Sequence, residues 1–180
     1  MFSQIWIGQA RGLLMAKPDK LRIPLDEHRF ENVGRLPDGT QFMAYVTGAF
    51  PTGMKYYLGD DWQTKKKWLA VIHRFDAEGN HIGTEARLGA FDIEGRQAAG
   101  DKAFAHLQEL YAELTANGEP EFCDIWVRPF SVEIDGVTYG LFYEQSEEEP
   151  EAGEECGEWV MLEPRDIMFH PPWDSGEYST

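Results

Sequence analysis

The chain has 180 residues, 13% of them aromatic, and carries 32 Asp/Glu against 16 Lys/Arg, for a formal net charge of −16. A chain of this length can bury about 70% of its unfolded surface, and no run of about 18 apolar residues exists to span a bilayer. Phosphate backbones repel a charge of this sign, which disfavours direct, sequence-reading contact with nucleic acid.

The charge is unevenly placed. Residues 1–90 carry 12 Lys/Arg and 10 Asp/Glu, whereas residues 91–180 carry 4 and 22. Eight of those acids are the glutamates of Glu144–Glu158, EQSEEEPEAGEECGE, a stretch without a base. Two readings of this acidic loop stay open. It is a solvated hairpin extension, tolerated because loop length costs little entropy, or it is an electrostatic lure for a basic partner and a mimic of nucleic-acid phosphate. Glu147, Glu148 and Glu149 are its candidate partner-binding residues, and Lys65-Lys66-Lys67 would answer it within the chain.

The N-terminal MFSQIWIGQARGLL reads as an extension, because Met15-Ala-Lys-Pro-Asp resembles a start; its apolar part is broken by Gln4, Gln9 and Arg11, unlike an export signal. Residues 15–180 read as one domain. Lys17–Phe30 is an extended lead-in with Leu21, Ile23 and Leu25 on one side. Asn32–Leu36 and Gln41–Thr47 flank Pro37-Asp38-Gly39, a turn in which Pro fixes φ and Gly relieves strain. Phe42, Ala44 and Val46 share one face of the second strand and Met43 and Tyr45 the other, so both faces are expected to be covered.

Phe50–Lys67 is a loop rich in Gly and aromatics, followed by strands at Lys67–Phe75 and His81–Leu88 around a turn at Glu78-Gly79-Asn80. Phe104, Leu107, Leu110, Tyr111 and Leu114 form an apolar stripe that predicts a helix over Asp101–Ala116, stopped by Asn117-Gly118 and Pro120. Alternating apolar residues in Asp124–Tyr143, with the hairpin turn Asp135-Gly136, mark the expected centre of the sheet. Trp159–Leu162 and Ile167–Phe169 add strands, and two prolines stiffen the tail HPPWDSGEYST. The expected fold class is α+β, a largely antiparallel twisted sheet of about six to eight strands with one long amphipathic helix packed on it.

Motifs that carry chemistry are scarce. There is no GxSxG elbow, phosphate loop or GxGxxG, and the five histidines form no HxxxH or HExxH pair. Asp76-Ala-Glu-Gly-Asn lacks the order of a calcium loop and reads as a turn. Cys123 and Cys156 are too few for a disulfide framework and read as free thiols in a reducing cytoplasm. No catalytic residue, metal or cofactor is therefore expected. The remaining unusual set is the tail Phe169-His-Pro-Pro-Trp-Asp174 with Trp62 and the corner Arg128-Pro129-Phe130. Two prolines would hold an aromatic and an acid in a fixed pose, as a recognition surface does; alternatively Trp173 seals the sheet end as core and Asp174 caps a turn.

HRFDAEGNHI at His73–Ile82, DIWVRPFSVEIDGVTYGLFYE at Asp124–Glu144, RDIMFHPPWDSGEY at Arg165–Tyr178 and the lead-in LPDGTQFMAYVTGAFP together resemble a bacterial family of formate hydrogenlyase regulatory proteins, the HycA-like proteins. The resemblance implies a cytoplasmic regulator that acts on an activator protein and is not an enzyme; it brings no catalytic residues. With the residue chemistry, it leads to a non-enzymatic protein that works by binding another protein. Trp62, Arg128, Phe130, His170, Trp173 and Asp174, with the three loop glutamates, are the expected contact residues. Two other classes stay open: an immunity or inhibitor protein neutralising a basic toxin by charge mimicry, and a small-molecule binder or enzyme with a pocket around Trp62, His73, Arg128 and His170.

Overall fold

The computed structural model describes residues 17–55, 57–146 and 157–180. Residues 1–14, Cys156 and the glutamates Glu147, Glu148 and Glu149 lie outside them. The elements run β1 (Leu21–Ile23), β2 (Val33–Arg35), β3 (Gln41–Ala49), α1 (Trp62–Lys65), β4 (Lys67–Phe75), β5 (His81–Phe91), a 3-10 turn (Asp92–Glu94) and α2 (Arg96–Leu114). They continue with β6 (Glu121–Phe122), β7 (Ile125–Val127), β8 (Ser131–Ile134), β9 (Val137–Gln145), β10 (Glu158–Glu163), β11 (Ile167–Phe169) and β12 (Tyr178–Ser179).

The α+β class and the single long helix hold. The expected single sheet does not. Among the described residues, twelve strands form two five-stranded antiparallel sheets, ordered β5-β4-β3-β2-β6 and β12-β11-β10-β9-β8, and a two-stranded ribbon of β1 with β7. The two sheets face each other. Met43, Tyr45, Val71 and Phe75 from the first share one core with Val137, Tyr139, Leu141, Val160 and Leu162 from the second, and Leu21, Ile23, Ile125 and Val127 of the ribbon complete it.

Helix α2 covers the opposite face of the first sheet, where Leu107 and Leu110 meet Ala44, Ala70 and Ile72. Strand β3 is therefore buried on both faces, as its double row of apolar residues implies. The helix approaches closely at Gly89, where an added Cβ would lie 2.4 Å from the Ala103 nitrogen.

Four further sequence expectations are corrected. The helix starts at Arg96, so Asp101 lies within it and accepts a bond from Gln97 at 2.8 Å instead of opening the first turn. Its buried stripe is Ala99, Ala103, Leu107 and Leu110, while Phe104 is 55% exposed; alanines carried the helix–sheet contact because a close approach leaves no room for larger side chains.

The stretch Asp124–Tyr143 is not the centre of one sheet. It breaks at Arg128–Phe130, placing β7 in the ribbon and β8 at the edge of the second sheet. The acidic loop is shorter than 144–158, because β9 runs to Gln145 and β10 begins at Glu158. There Tyr143 Oη donates to Glu158 at 2.7 Å and Trp159 Nε1 donates to Glu144 at 2.8 Å.

The turn readings hold. Asp135 and Gly136 have φ of 49° and 73°, Gly39 has 89° and Gly79 has 86°, the left-handed values that glycine and aspartate supply at hairpins. Asp76 accepts from the Asn80 backbone and side-chain nitrogens, each at 2.8 Å, closing its loop as a turn.

Candidate functional site

Among the described residues a cleft lies where the chain leaves β3 and crosses the outer side of the second sheet. Phe50–Lys55 folds over β9: the Thr52 nitrogen donates to the Gly136 carbonyl at 2.7 Å, and the Thr52 and Thr138 hydroxyls are 2.8 Å apart. Lys55 then pairs with Glu163 and, at 2.6 Å, with Asp166. Burial works against the Lys55 ammonium, but the bonds from Asp166 and Glu163 outweigh it and hold its pKa above the ordinary value. The cleft so formed, about 360 Å³, is walled by Phe50, Lys66, Phe142 and Pro164. A neighbouring hollow of about 680 Å³ shares Phe50, Lys55 and Lys66 with it and adds Tyr57 and Trp62. Leu58, in the same loop, is 93% exposed.

Lys66 is the chemical centre of this region. Its stem lies across Gly48, where a Cβ would sit 2.7 Å from Lys66 Cε. Its ammonium stands 5.9 Å from the ring centres of Phe50 and Trp62 and 5.6 Å from that of Trp68, so three quadrupoles hold the charge. No carboxylate among the described residues forms an ion pair with it. Trp68 is fixed in turn by Asp92, which is 3% exposed and accepts from Trp68 Nε1 at 2.8 Å.

The lysine run does not act as a unit. Lys65 faces Asp61 at 3.6 Å, Lys67 donates to the Asp135 carbonyl at 2.8 Å, and Lys66 alone enters the aromatic setting. The cleft is mixed in charge, with Lys55 and Lys66 against Glu144, Glu163 and Asp166, so an anionic group beside apolar surface can be held only at its Lys66 end. Its hydroxyls bond each other, and no imidazole lines the cleft to activate them. Among the described residues, no three of His, Cys, Asp and Glu gather to hold a metal ion.

Of the residues singled out in the sequence, Trp62 lines the neighbouring hollow, and the other described ones lie elsewhere. His73 is fully buried in a hydrogen-bonded chain, with Nε2 2.7 Å from Tyr45 Oη and Nδ1 2.7 Å from Thr84 Oγ1, which also meets His81 Nε2 at 2.7 Å. Burial, with a smaller contribution from His81, lowers its pKa to about 3, so it is neutral at pH 7.

Phe130 stacks on His81 at 4.4 Å and packs edge-on against His73 and Phe75, which makes it a joint between the sheets. Arg128 pairs with Asp19, and its backbone nitrogen donates to Gly79 at 2.8 Å. In the tail, His170 Nε2 meets Ser179 Oγ at 2.8 Å; Trp173 packs on Tyr143 with its carbonyl bonded by Arg22; and Asp174 is exposed. Trp173 thus closes the sheet end while its indole N–H, buried, meets no acceptor among the described residues. His73, being fully buried, shares no open cleft with Trp62, Arg128 and His170.

Phe50, Lys66 and Trp68 were not selected as site residues from the sequence. The aromatic–glycine texture of FPTGMKYYLGDDWQTKKKW was the available signal, but nothing local says which of three lysines turns inward. Comparison with protein-family models, with curated proteins and with solved structures finds no match.

Proposed function

We propose that this chain is a non-enzymatic, cytoplasmic binding protein that regulates a partner protein by contact, as the HycA-like resemblance implies, and that the cleft around Lys66 receives an acidic group of that partner. The observation that carries the reading is the Lys66 ammonium, held by Phe50, Trp62 and Trp68 at an open cleft and paired with no carboxylate among the described residues. A cation already seated against rings, with its long stem packed on Gly48, loses little further freedom on binding, which favours affinity. The exposed Leu58 and the half-exposed Trp62 beside it supply the apolar and aromatic contacts that dominate protein interfaces.

The buried titratable groups support binding over catalysis. His73, Asp92 and Glu158 are each engaged by neighbours inside the fold and not presented at the cleft. The test is a native-lysate capture with the wild-type chain, Lys66→Gln, Trp62→Ala and a chain lacking residues 146–157, with bound proteins identified by mass. Loss of one partner with Lys66→Gln and Trp62→Ala supports the reading. The same partner retained at equal yield by both variants overturns it. Loss only in the chain lacking residues 146–157, with release at higher salt, would instead favour the charge-mimicking immunity class.

The cleft volume favours one second reading. At about 360 Å³ it falls in the range of small-ligand sites, so a small organic anion is the alternative occupant. Titration of the protein with benzoate, followed by tryptophan fluorescence, separates the two: saturable binding abolished by Lys66→Gln favours the small ligand.

A further inference from the structure

Strand β5 forms one edge of the first sheet, and among the described residues no backbone hydrogen bond from another segment reaches its outer side. It spans 11 residues, long for an unprotected edge. It carries exposed large apolar side chains, Ile82 at 57% and Leu88 at 43%, with Ile93 at 58% just beyond the strand. Irregularities in its pairing with β4 lie at both ends and leave a regular ladder over Gly83–Leu88.

We propose that this edge pairs antiparallel with the same edge of a second copy of the chain, about a two-fold axis through Ala86. The sequence of the edge argues for this occupant and this register. A two-fold axis normal to the sheet keeps each side chain on its own face, so a residue can oppose only itself or one an even number of positions away. With Ala86 on the axis, Glu85 opposes Arg87 of the second copy, Thr84 opposes Leu88 and Gly83 opposes Gly89.

The opposite charges meet twice, and the residue on the axis is small. A shift of the axis by one residue sets Glu85 against Glu85, or Arg87 against Arg87. The pairing is thus complementary at one register and repulsive at its two neighbours.

The intrachain partners extend the match. Arg74 holds Glu85 at 2.7 Å and Glu113 holds Arg87 at 2.8 Å. Across the axis the row would read Glu113, Arg87, then Glu85 and Arg74 of the second copy, alternating in sign throughout. Docking would also cover part of the Leu88 side chain that each copy leaves exposed, opposite Thr84 of the second copy.

The experiment places single cysteines in the full chain with Cys123 and Cys156 replaced by serine. Under mild oxidation, Ala86→Cys is expected to give a covalent dimer, because its Cα atoms oppose directly. Glu85→Cys is expected to give none, because its two copies lie diagonally apart, beyond disulfide reach. Sedimentation of the native chain is expected to show a species of twice 20.6 kDa. Glu85→Arg and Arg87→Glu should each weaken association by about tenfold or more, and E85R/R87E together should recover part of the loss, since the exchanged pair is complementary across the axis but still faces Arg74 and Glu113 within each copy. Equal cross-linking at positions 85 and 86 would overturn the proposal, as would a double variant no more associated than the single ones. Circular dichroism of each variant separates lost association from lost folding.

Discussion

Lowering the pH from 7 to 5 should cost this fold roughly 2 kcal/mol through His73 alone. Folded, the imidazole is buried among Tyr45, Phe75, Phe130 and Tyr139, and its pKa falls to about 3, against an ordinary value of 6.5. The unfolded chain therefore binds more protons in the window between 6.5 and about 3. Stability is present above that window and is lost as the pH falls through it, at a slope approaching about 1.4 kcal/mol per pH unit. Integration from pH 7 to pH 5 gives the figure of roughly 2 kcal/mol.

Asp26, whose pKa is lowered to about 2, contributes its own loss only below its ordinary value of 3.8, outside this range. His81, also lowered by burial, acts in the same direction as His73, so the comparison must be differential. Urea unfolding of the native chain and of His73→Gln, whose amide can still bond Tyr45 and Thr84, should be measured at both pH values. The native chain should lose about 2 kcal/mol more than the variant. Equal losses would refute the claim that burial holds His73 neutral, as would a His73 imidazole resonance that titrates between pH 7 and 5.

Gly89→Ala should destabilise the fold by about 1–3 kcal/mol, because the new Cβ meets the Ala103 backbone and the helix must lift; a fall of roughly 3–10 °C in Tm would register it. Gly48→Ala meets only the flexible end of Lys66, so Tm should move by about 2 °C or less while tryptophan fluorescence changes as the ammonium leaves its rings. Phe104→Glu should stay within about 0.5 kcal/mol of the native chain, whereas Leu107→Ala should cost about 2–5 kcal/mol, both by urea unfolding.

Those contrasting pairs mark what the sequence could say about the fold. Hairpins were legible because Asp38-Gly39, Gly79 and Asp135-Gly136 carry their own backbone requirement, whatever packs around them. The helix was legible as a period but not as a face. Phe104 and Leu107 both fit a stripe of period 3.6, and only the sheet beneath decides that Leu107 enters while Phe104 stays out. The division into two sheets was illegible for a similar reason. Ile125 and Val127 alternate like Val132 and Ile134, but the corner at Arg128–Phe130 sends the first pair to the ribbon and the second to an edge. Local pattern states that a strand exists; long-range pairing states whose neighbour it is.

The candidate site shows the same limit at the level of single side chains. Histidines, tryptophans and a proline-stiffened tail draw attention in a sequence because their chemistry is scarce, yet here His73, Phe130 and Trp173 are placed by packing. Lysine draws none, being common and usually solvated. What distinguishes Lys66 is the glycine that lets its stem lie flat and the three rings that approach from Phe50, α1 and β4. Gly48 and Trp68 are paired across the ladder, and Trp62 reaches the same ammonium from the loop side. The site is thus a property of the β3–β4 register and of the loop that joins those strands. A one-residue slip would turn Trp68 to the other face and dissolve the setting while leaving every residue of the sequence in place.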